Sequence, residues 1–168
     1  MTFTFKIDPS ALAQESILYF EDANSSNSQF HAIRKSTTID DCKQRVQVAM
    51  SKLGGAPLQF IPVIFENPSR YGYLIEYVFS GGAHGQLPVA GLPLKNESPS
   101  NKVASRKQAL MVAAHMMNAS YNAIQHTPLS NPLLLHLLVD GKQTVAQMIA
   151  ERQSLPTNLL LGSGKNGE

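Results

Sequence analysis

The sequence contains little cysteine and little charge. A single cysteine, Cys42, excludes an internal disulfide framework and fits a reducing compartment. Only 15% of the residues are charged, well below the usual quarter or so, and Ser, Asn, Gln and Thr supply much of the polarity. A surface with so few charges suits contact with a partner as well as exposure to solvent.

Segments that would direct the chain to a membrane are also missing. The start, MTFTFKIDPSALAQ, alternates polar and apolar residues and has no basic stretch followed by a hydrophobic run, which argues against a signal peptide. No apolar run approaches the length that spans a bilayer. Together with the single cysteine, these features predict a cytoplasmic protein.

Patterns for catalysis and metal binding are absent from the sequence. The five histidines lack ligand spacing, and neither His-Glu-x-x-His nor Cys-x-x-Cys occurs. Gly164-Lys165 resembles the end of a phosphate loop, but Leu159 replaces the first glycine and Asn166 the Ser or Thr, which indicates a flexible tail. We therefore predict a non-enzymatic protein without metal or cofactor. A small enzyme of unrecognised type remains an alternative.

The positive charge lies in the middle of the chain. Residues 37–125 hold eight basic and five acidic residues, whereas residues 1–36 have a net charge of −1 and residues 126–168 are neutral. The same boundaries separate three predicted regions. They are an N-terminal strand–helix extension, a central domain, and a C-terminal helical segment with a flexible tail.

Both flanking regions are predicted to add secondary structure. Phe3, Phe5 and Ile7 alternate as in a strand, and Asp8-Pro9 begins a helix that extends through YFED. In the C-terminal region, SNPLLLHLLVD and TVAQMIAERQ have the pattern of two helices. The first is apolar almost all round, as in a buried helix, so we predict contact with a protein partner or a second copy through residues 130–153.

The central region predicts two helices separated by three strands. TTIDDCKQRVQVAMSKLGG has a capping box at Thr38, apolar residues at helical spacing and a Gly-Gly stop. PLQFIPVIFE, YLIEYVFSGG and AHGQLPVAGLPLK read as strands, with a hairpin turn at Gly81-Gly82. SRKQALMVAAHMM, from Ser105, begins a second helix that reaches about Gln125. This order predicts an α+β fold with a three-stranded antiparallel sheet packed on two helices.

Three segments of residues 37–125 resemble the double-stranded-RNA-binding domain family. Ser105-Arg106-Lys107-Gln108-Ala109 is similar to the start of the family's second helix, although Leu110 stands where a further basic residue is typical. SKLGGAPLQF is similar to the exit of the first helix, and LIEYVFSGG to the middle strand. Asn67-Pro68-Ser69-Arg70 takes the place of the loop that often reads Gly-Pro-x-His. On the first helix, Val46, Val48 and Ala49 occupy the region whose polar residues usually touch the minor groove.

The resemblance implies binding of structured or double-stranded RNA by shape and phosphate contacts. Lys102, Arg106 and Lys107 would contact phosphates, with Ser105 beside them, at a helix start whose free amides favour anions. Arg70 would approach the neighbouring minor groove. Two alternatives stay open. In the first, Arg106 and Lys107 are ordinary solvated helix residues. In the second, the domain is a protein–protein interaction or assembly module, such as a ribonucleoprotein, viral or phage subunit.

Overall fold

The computed structural model describes residues 17–28, 30, 33, 36–66, 68–126, 131–139, 141–145, 147 and 148. Its main elements follow the order helix, strand, strand, strand, helix, and a small hairpin comes after them. The elements are α1 (Ile39–Lys52), β1 (Gly55–Phe65), β2 (Arg70–Phe79), β3 (His84–Ala90), α2 (Pro99–His126), β4 (Leu138–Val139) and β5 (Gln143–Thr144). The predicted α+β class and element order are thus confirmed, whereas the three region boundaries stay a prediction.

The first helix begins at the predicted capping box. The Thr38 hydroxyl accepts a hydrogen bond from the Asp41 amide at 3.1 Å, and the Asp41 carboxylate accepts one from the Thr38 amide at 2.8 Å. The hydrogen bonds from Thr38 hold the pKa of Asp41 below its usual value. α1 ends before Gly54, whose positive φ of 88° turns the chain into β1.

The three strands form one antiparallel sheet with β2 in the centre. Gly81 and Gly82 have φ values of 95° and 89° and make the predicted hairpin turn between β2 and β3. Both edge strands contain proline, namely Pro57 and Pro62 in β1 and Pro88 in β3. Because proline has no N–H to donate, these residues limit the addition of a further strand at either edge.

The core lies between one face of the sheet and the two helices. On β2 every second side chain, from Tyr71 to Tyr77, is buried against α1 and α2. The core consists of Cys42, Val46, Ala49, Met50, Leu53, Tyr73, Ile75, Tyr77, Leu87, Val89, Ala109, Leu110, Ala113, Ala114, Met117 and Leu133. The opposite face of the sheet, which we call the outer sheet face, is turned away from both helices.

The two helices lie side by side and run in the same direction. In the first turn of α1, Asp41 is close enough to Lys107 for the lysine charge to lower its pKa. In the last turn of α1, Lys52 Nζ donates to Asn118 Oδ1 at 3.0 Å, further along α2. The first turns of α1 and the first half of α2 therefore lie at the same end of the domain.

The second helix begins at Pro99, not at Ser105 as predicted. The Ser98 hydroxyl accepts a hydrogen bond from the Asn101 amide at 3.2 Å, and the Ser98 carbonyl accepts one from the Lys102 amide at 3.0 Å. A capping serine followed by proline in the first helical position is a stronger start signal than a serine followed by basic residues. Ser105 consequently lies inside the helix.

The apolar C-terminal segment is not the predicted helix. Pro132–His136 forms a 3-10 turn, and β4 pairs with β5 around a turn at Gly141, whose φ is 69°. Leu133 is fully buried inside the domain. The predicted turn at the Asp-Gly dipeptide here joins two short strands. The contact with a protein partner or a second copy through residues 130–153 stays a prediction.

The N-terminal segment contacts the domain just before α2. The Glu21 carboxylate accepts hydrogen bonds from the Lys95 and Asn96 amides at 2.9 and 3.0 Å, and the Phe20 amide donates to the Pro93 carbonyl at 2.9 Å. Phe20–Asp22 is a single 3-10 turn, and residues 17–19 are irregular, so the predicted helix does not extend this far. The predicted strand at residues 3–7 and the C-terminal tail lie outside the described residues.

Replacing Tyr77 by phenylalanine should destabilise the domain in a pH-dependent way. The fully buried Tyr77 hydroxyl donates to the Leu133 carbonyl, and burial raises the pKa of Tyr77 to about 12 from 10.0. Without this donor the buried carbonyl loses its partner, at a cost of about 1–3 kcal/mol. The folded state favours the neutral phenol of Tyr77. The stability that this phenol contributes is therefore complete below pH 10.0, the pKa in the unfolded chain, and is lost as the pH rises towards the folded-state pKa of about 12.

Urea unfolding of the wild type and the Tyr77→Phe variant, at neutral pH and across the alkaline range, measures both effects. Tyr121→Phe, at a partly buried ring on α2, is the matched control. A Tyr77→Phe variant that is as stable as the wild type at neutral pH, and that loses stability equally in alkali, would contradict this role for the hydroxyl.

Candidate nucleic-acid interface

Two cations of α2 lie over one aromatic ring of β2. The Nζ atom of Lys102 is 5.2 Å from the Tyr71 ring centroid, and the guanidinium carbon of Arg106 is 5.5 Å from it. Lys102 and Arg106 are one helical turn apart on the same side of α2. Because the face of an aromatic ring attracts cations, Tyr71 holds both charges at the end of the sheet where β2 begins.

Glu97 orders this ring and partly neutralises the charges over it. The Tyr71 hydroxyl donates to Glu97 Oε2 at 2.8 Å, and the Lys102 Nζ atom is 3.8 Å from the same oxygen. The side chains of Lys102 and Glu97 are 35% and 48% exposed, so water screens this ion pair. The lysine is therefore available to exchange Glu97 for an external anion.

Arg106 is positioned by its neighbours with part of its hydrogen-bonding capacity unused. Its Nε atom is buried and has no hydrogen-bond partner within the described part of the chain. A guanidinium group stays charged at all relevant pH values. The contact with the Tyr71 ring and the burial of Nε leave the terminal nitrogens as the donors of Arg106 towards a ligand, and two such donors suit a pair of phosphate oxygens.

A third cation lies over the neighbouring rings. The Nζ atom of Lys43, on α1, is 5.7 Å from the Phe60 centroid and 5.8 Å from the Tyr73 centroid, and these two rings meet edge to face. Lys43 is also 3.8 Å from Asp40 Oδ1, in an exposed ion pair. No sequence pattern singles out Lys43 or Tyr71, because the cation–ring contacts depend on how the helices lie on the sheet.

Lys107 lies between the two helices. It is partly buried, and its charge acts on the first turn of α1, where it helps the hydrogen bonds of Thr38 and the charge of Arg45 to lower the pKa of Asp41. Lys107 thus shares the end of the domain with Lys102 and Arg106 and lies near the Asp41 carboxylate. We call Lys43, Lys102, Arg106 and Lys107 the cationic surface.

Ser105 packs the helix against the chain and is not accessible to a ligand. It is fully buried, and its hydroxyl donates to the Leu92 carbonyl at 3.1 Å. Gln108, one turn along, accepts from the Leu92 amide at 2.8 Å. The two side chains therefore hold the segment between β3 and α2 in place. Because α2 begins at Pro99, the free amides expected beside Arg106 are not there either.

Arg70 lies away from the cationic surface. It is the first residue of β2, not part of the preceding turn, and it pairs with Phe65 across the sheet. Strand alternation directs its side chain to the face opposite Tyr71, which is the outer sheet face. The structure therefore brings Lys102, Arg106 and Lys107 to one end of the domain and separates Arg70 from them.

The outward side of α1 is polar, contrary to the prediction from Val46, Val48 and Ala49. Val46 and Ala49 are fully buried, and only Val48 is exposed. Gln44, Gln47 and Ser51 are exposed at helical spacing and form what we call the polar stripe. The apolar period of the helix, from Cys42 to Met50, already placed these three side chains opposite the core.

A cleft of about 670 Å³ borders the polar stripe between the two helices. It combines the carboxylate of Asp41 and the guanidinium of Arg45 with apolar side chains. One wall is Phe30, whose ring meets His115 edge-on at 5.5 Å. The lining residues are Phe30, Ser36, Thr37, Asp41, Gln44, Arg45, Val48, Met111, Ala114, His115 and Asn118.

Other kinds of site are not seen in the described residues. No group of three or more His, Cys, Asp or Glu side chains in that part of the chain is arranged to hold a metal ion. Cys42 is fully buried, and this burial raises the pKa of its thiol, as expected for a core residue. No helix among the same residues has the length and apolar character needed to cross a bilayer.

Comparisons with protein-family models, curated proteins and solved structures give no match to this chain. The interpretation of the cationic surface therefore depends on its geometry and charge.

Proposed function

We propose that this domain binds structured, double-stranded RNA without catalysing a reaction. The placement of Lys102 and Arg106 over the Tyr71 ring, at the end of the domain that also holds the first turn of α1, carries the proposal. The resemblance of the sequence to double-stranded-RNA-binding domains supports the same function, and so does the α-β-β-β-α order.

The shape of A-form RNA explains how two separate surfaces would cooperate. Its major groove is deep and narrow, so a protein contacts the phosphates that border it and not the bases inside. The cationic surface would bind these phosphates. Its minor groove is wide and displays 2′-hydroxyl groups, which both donate and accept hydrogen bonds. The side chains of Gln44, Gln47 and Ser51 are suited to these hydroxyls and lie on the neighbouring helix.

The acidic residues around the cationic surface set the expected strength of binding. Asp40 and Glu97 form ion pairs of 3.8 Å with Lys43 and Lys102, and Asp41 lies near Lys107, so part of the positive charge is compensated. We therefore expect few phosphate contacts and modest affinity. With about three phosphates neutralised, the logarithm of the binding constant should fall against the logarithm of salt concentration with a slope of about −3.

Reversing two charges of the cationic surface should remove RNA binding. In the double variant Lys102→Glu/Arg106→Glu, two phosphate contacts become repulsions, so the affinity for duplex RNA should fall by about a hundredfold or more. The salt dependence should become flatter by about two units of slope, one for each lost phosphate contact. Fluorescence-anisotropy titrations of a labelled RNA duplex at several salt concentrations measure both quantities, and a DNA duplex of the same sequence tests the preference for A-form geometry.

The matched control is Lys52→Glu/Lys142→Glu. It changes the net charge equally, but its residues lie at the last turn of α1 and in the β4–β5 turn. This variant should keep most of the affinity and the steep salt dependence. Equal loss in both variants would indicate a non-specific charge effect, and unchanged binding of the Lys102→Glu/Arg106→Glu variant would refute the assigned surface.

A second candidate function, a protein–protein interaction or assembly module, is favoured by a different observation. The outer sheet face carries apolar side chains in three adjacent rows, although it is turned away from both helices. Contiguous apolar patches on a surface commonly mark contact sites for other proteins. Both functions are compatible in one chain, because the two surfaces lie on different sides of the sheet.

A further inference from the structure

The outer sheet face has an apolar region bounded by charged and polar residues. The strand register aligns Ile61, Leu74 and Pro88 in one row across the sheet. The adjacent row consists of Val63, Gly72 and Ala90, and the end row of Phe65 and Arg70. On the other side of these rows lie Gln59, Glu76 and Gln86, where the Gln86 amide donates to Glu76 at 3.1 Å.

The edges of the sheet offer less opportunity for association than this face. Pro62 interrupts the donors of β1, and Pro88 those of β3. At the start of β3, Gly85 already makes a bridge to Leu137 of the same chain. A partner that added a strand to either edge would find part of the hydrogen-bonding positions missing or occupied.

We propose that the outer sheet face binds the same face of a second copy of this chain, as a symmetric dimer. This inference rests on the second candidate function, for which it specifies the partner, and it does not depend on RNA binding. The two sheets would pack face to face. The two-fold axis would lie in the plane between them, perpendicular to the strands, and would cross β2 at the level of Tyr73.

The arrangement of charges along β2 supports a second copy over an unrelated partner. Arg70 and Glu76 both point to the outer sheet face and lie equally far from Tyr73 along the strand. The two-fold axis therefore places Arg70 of each copy opposite Glu76 of the other. Within the described part of the chain, Arg70 has no ion-pair partner of its own. The pairing of opposite charges occurs twice in the dimer and satisfies both copies.

The apolar rows of the two copies meet under the same symmetry. Gly72 and Leu74 are also equally far from Tyr73, so Leu74 of each copy faces Gly72 of the other. Gly72 adds no side chain, and the space of its Cβ atom is filled by the Val89 carbonyl and the Ala90 Cα atom of β3, so Leu74 of the other copy would pack on the strand backbone there. This contact buries apolar surface on both copies, which is the main source of affinity between sheets.

The size of the patch predicts a weak, concentration-dependent dimer. Three strands spaced about 4.8 Å apart, with rows spread over about six residues, make a patch about 10 Å wide and 20 Å long. The area of this patch is about 200 Å², about a quarter of the roughly 800 Å² per partner of a standard interface. We therefore expect a dissociation constant in the micromolar range or weaker.

Charge reversal on β2 tests this geometry. In the Arg70→Glu variant, the new carboxylate at position 70 faces Glu76 of the other copy. In the Glu76→Arg variant, the new guanidinium at position 76 faces Arg70 of the other copy. Each variant alone should dimerise about tenfold or more weakly than the wild type. An equimolar mixture of the two variants restores opposite charges at both contacts and should recover the dimer. Sedimentation velocity over a wide concentration range, without RNA, measures all four samples.

Recovery in the mixture also shows that neither variant is misfolded, because misfolded chains would not regain association. Three outcomes overturn the proposal. They are a wild type that is monomeric at every concentration, dimerisation that neither charge reversal weakens, and variants that stay monomeric when mixed. The RNA titrations use variants of α2 and measure RNA affinity. Their outcome therefore tests the proposed RNA binding separately from the proposed dimer.

Discussion

Replacing Leu110 by lysine is expected to unfold the domain, even though it completes the basic pattern that is typical of the second helix in double-stranded-RNA-binding domains. Leu110 is fully buried, in the core between α2 and the sheet. A lysine at this position would lose hydration without gaining a carboxylate partner, because the surrounding core side chains are apolar. We expect a loss of about 4 kcal/mol or more, which approaches the total stability of a typical domain.

Circular dichroism and urea unfolding of the Leu110→Lys variant measure this loss. Val112→Lys is the matched control on the same helix, because Val112 is 44% exposed. The control should change the stability by only about 0.5 kcal/mol. If Leu110→Lys instead folds with a near-native midpoint and binds duplex RNA more tightly, both the inward orientation of Leu110 and the position of α2 are wrong.

Replacing Gly72 by alanine is expected to be the most damaging of the single-methyl changes in the sheet. A Cβ atom on Gly72 would lie 1.9 Å from the Val89 carbonyl oxygen and 2.8 Å from the Ala90 Cα atom. Both atoms belong to the backbone of β3, so no side-chain movement relieves the clash and the two strands have to separate. We expect a cost of about 3 kcal/mol or more.

The control for Gly72→Ala is Gly81→Ala in the hairpin turn. No atom lies within 4 Å of a Cβ at Gly81, but its φ of 95° disfavours a side chain. This substitution therefore introduces only backbone strain, which costs about 1–2 kcal/mol. Thermal and urea unfolding of the two variants separate steric from conformational effects. Equal stability of the two variants would show that β2 and β3 tolerate a side chain at Gly72.

Several parts of the fold were predictable because their signals are local. The capping box of Thr38 and Asp41 and the apolar period of α1 specify a helix from neighbouring residues. The β-branched and aromatic run of β2 and the Gly81-Gly82 turn specify a hairpin in the same way. The chain order is then a helix, strands joined by a hairpin, and a second helix. An α+β domain is the simplest arrangement of these elements.

Other expectations failed where two local signals competed. The Ser105 pattern resembled a helix start, but Ser98-Pro99 begins the helix earlier and places Ser105 in a buried contact with Leu92. The leucines after Asn131 suggested a helix by composition, but Pro132 and Gly141 favour a 3-10 turn and a hairpin. Composition does not decide such cases, because the burial of Leu133 against the domain stabilises the observed conformation.

The sequence by itself determined the class of this domain, the order of its elements and the residue types that fill its core. Only the tertiary structure decided that Lys102 and Arg106 share the ring of Tyr71, that Leu110 faces the core and that Arg70 faces the opposite side of the sheet. The physical reason is the range of the interactions. Caps, turns and periodicity act between near neighbours in the chain, whereas cation–ring contacts and surface charge patterns join residues that only the packing of helices on a sheet brings together.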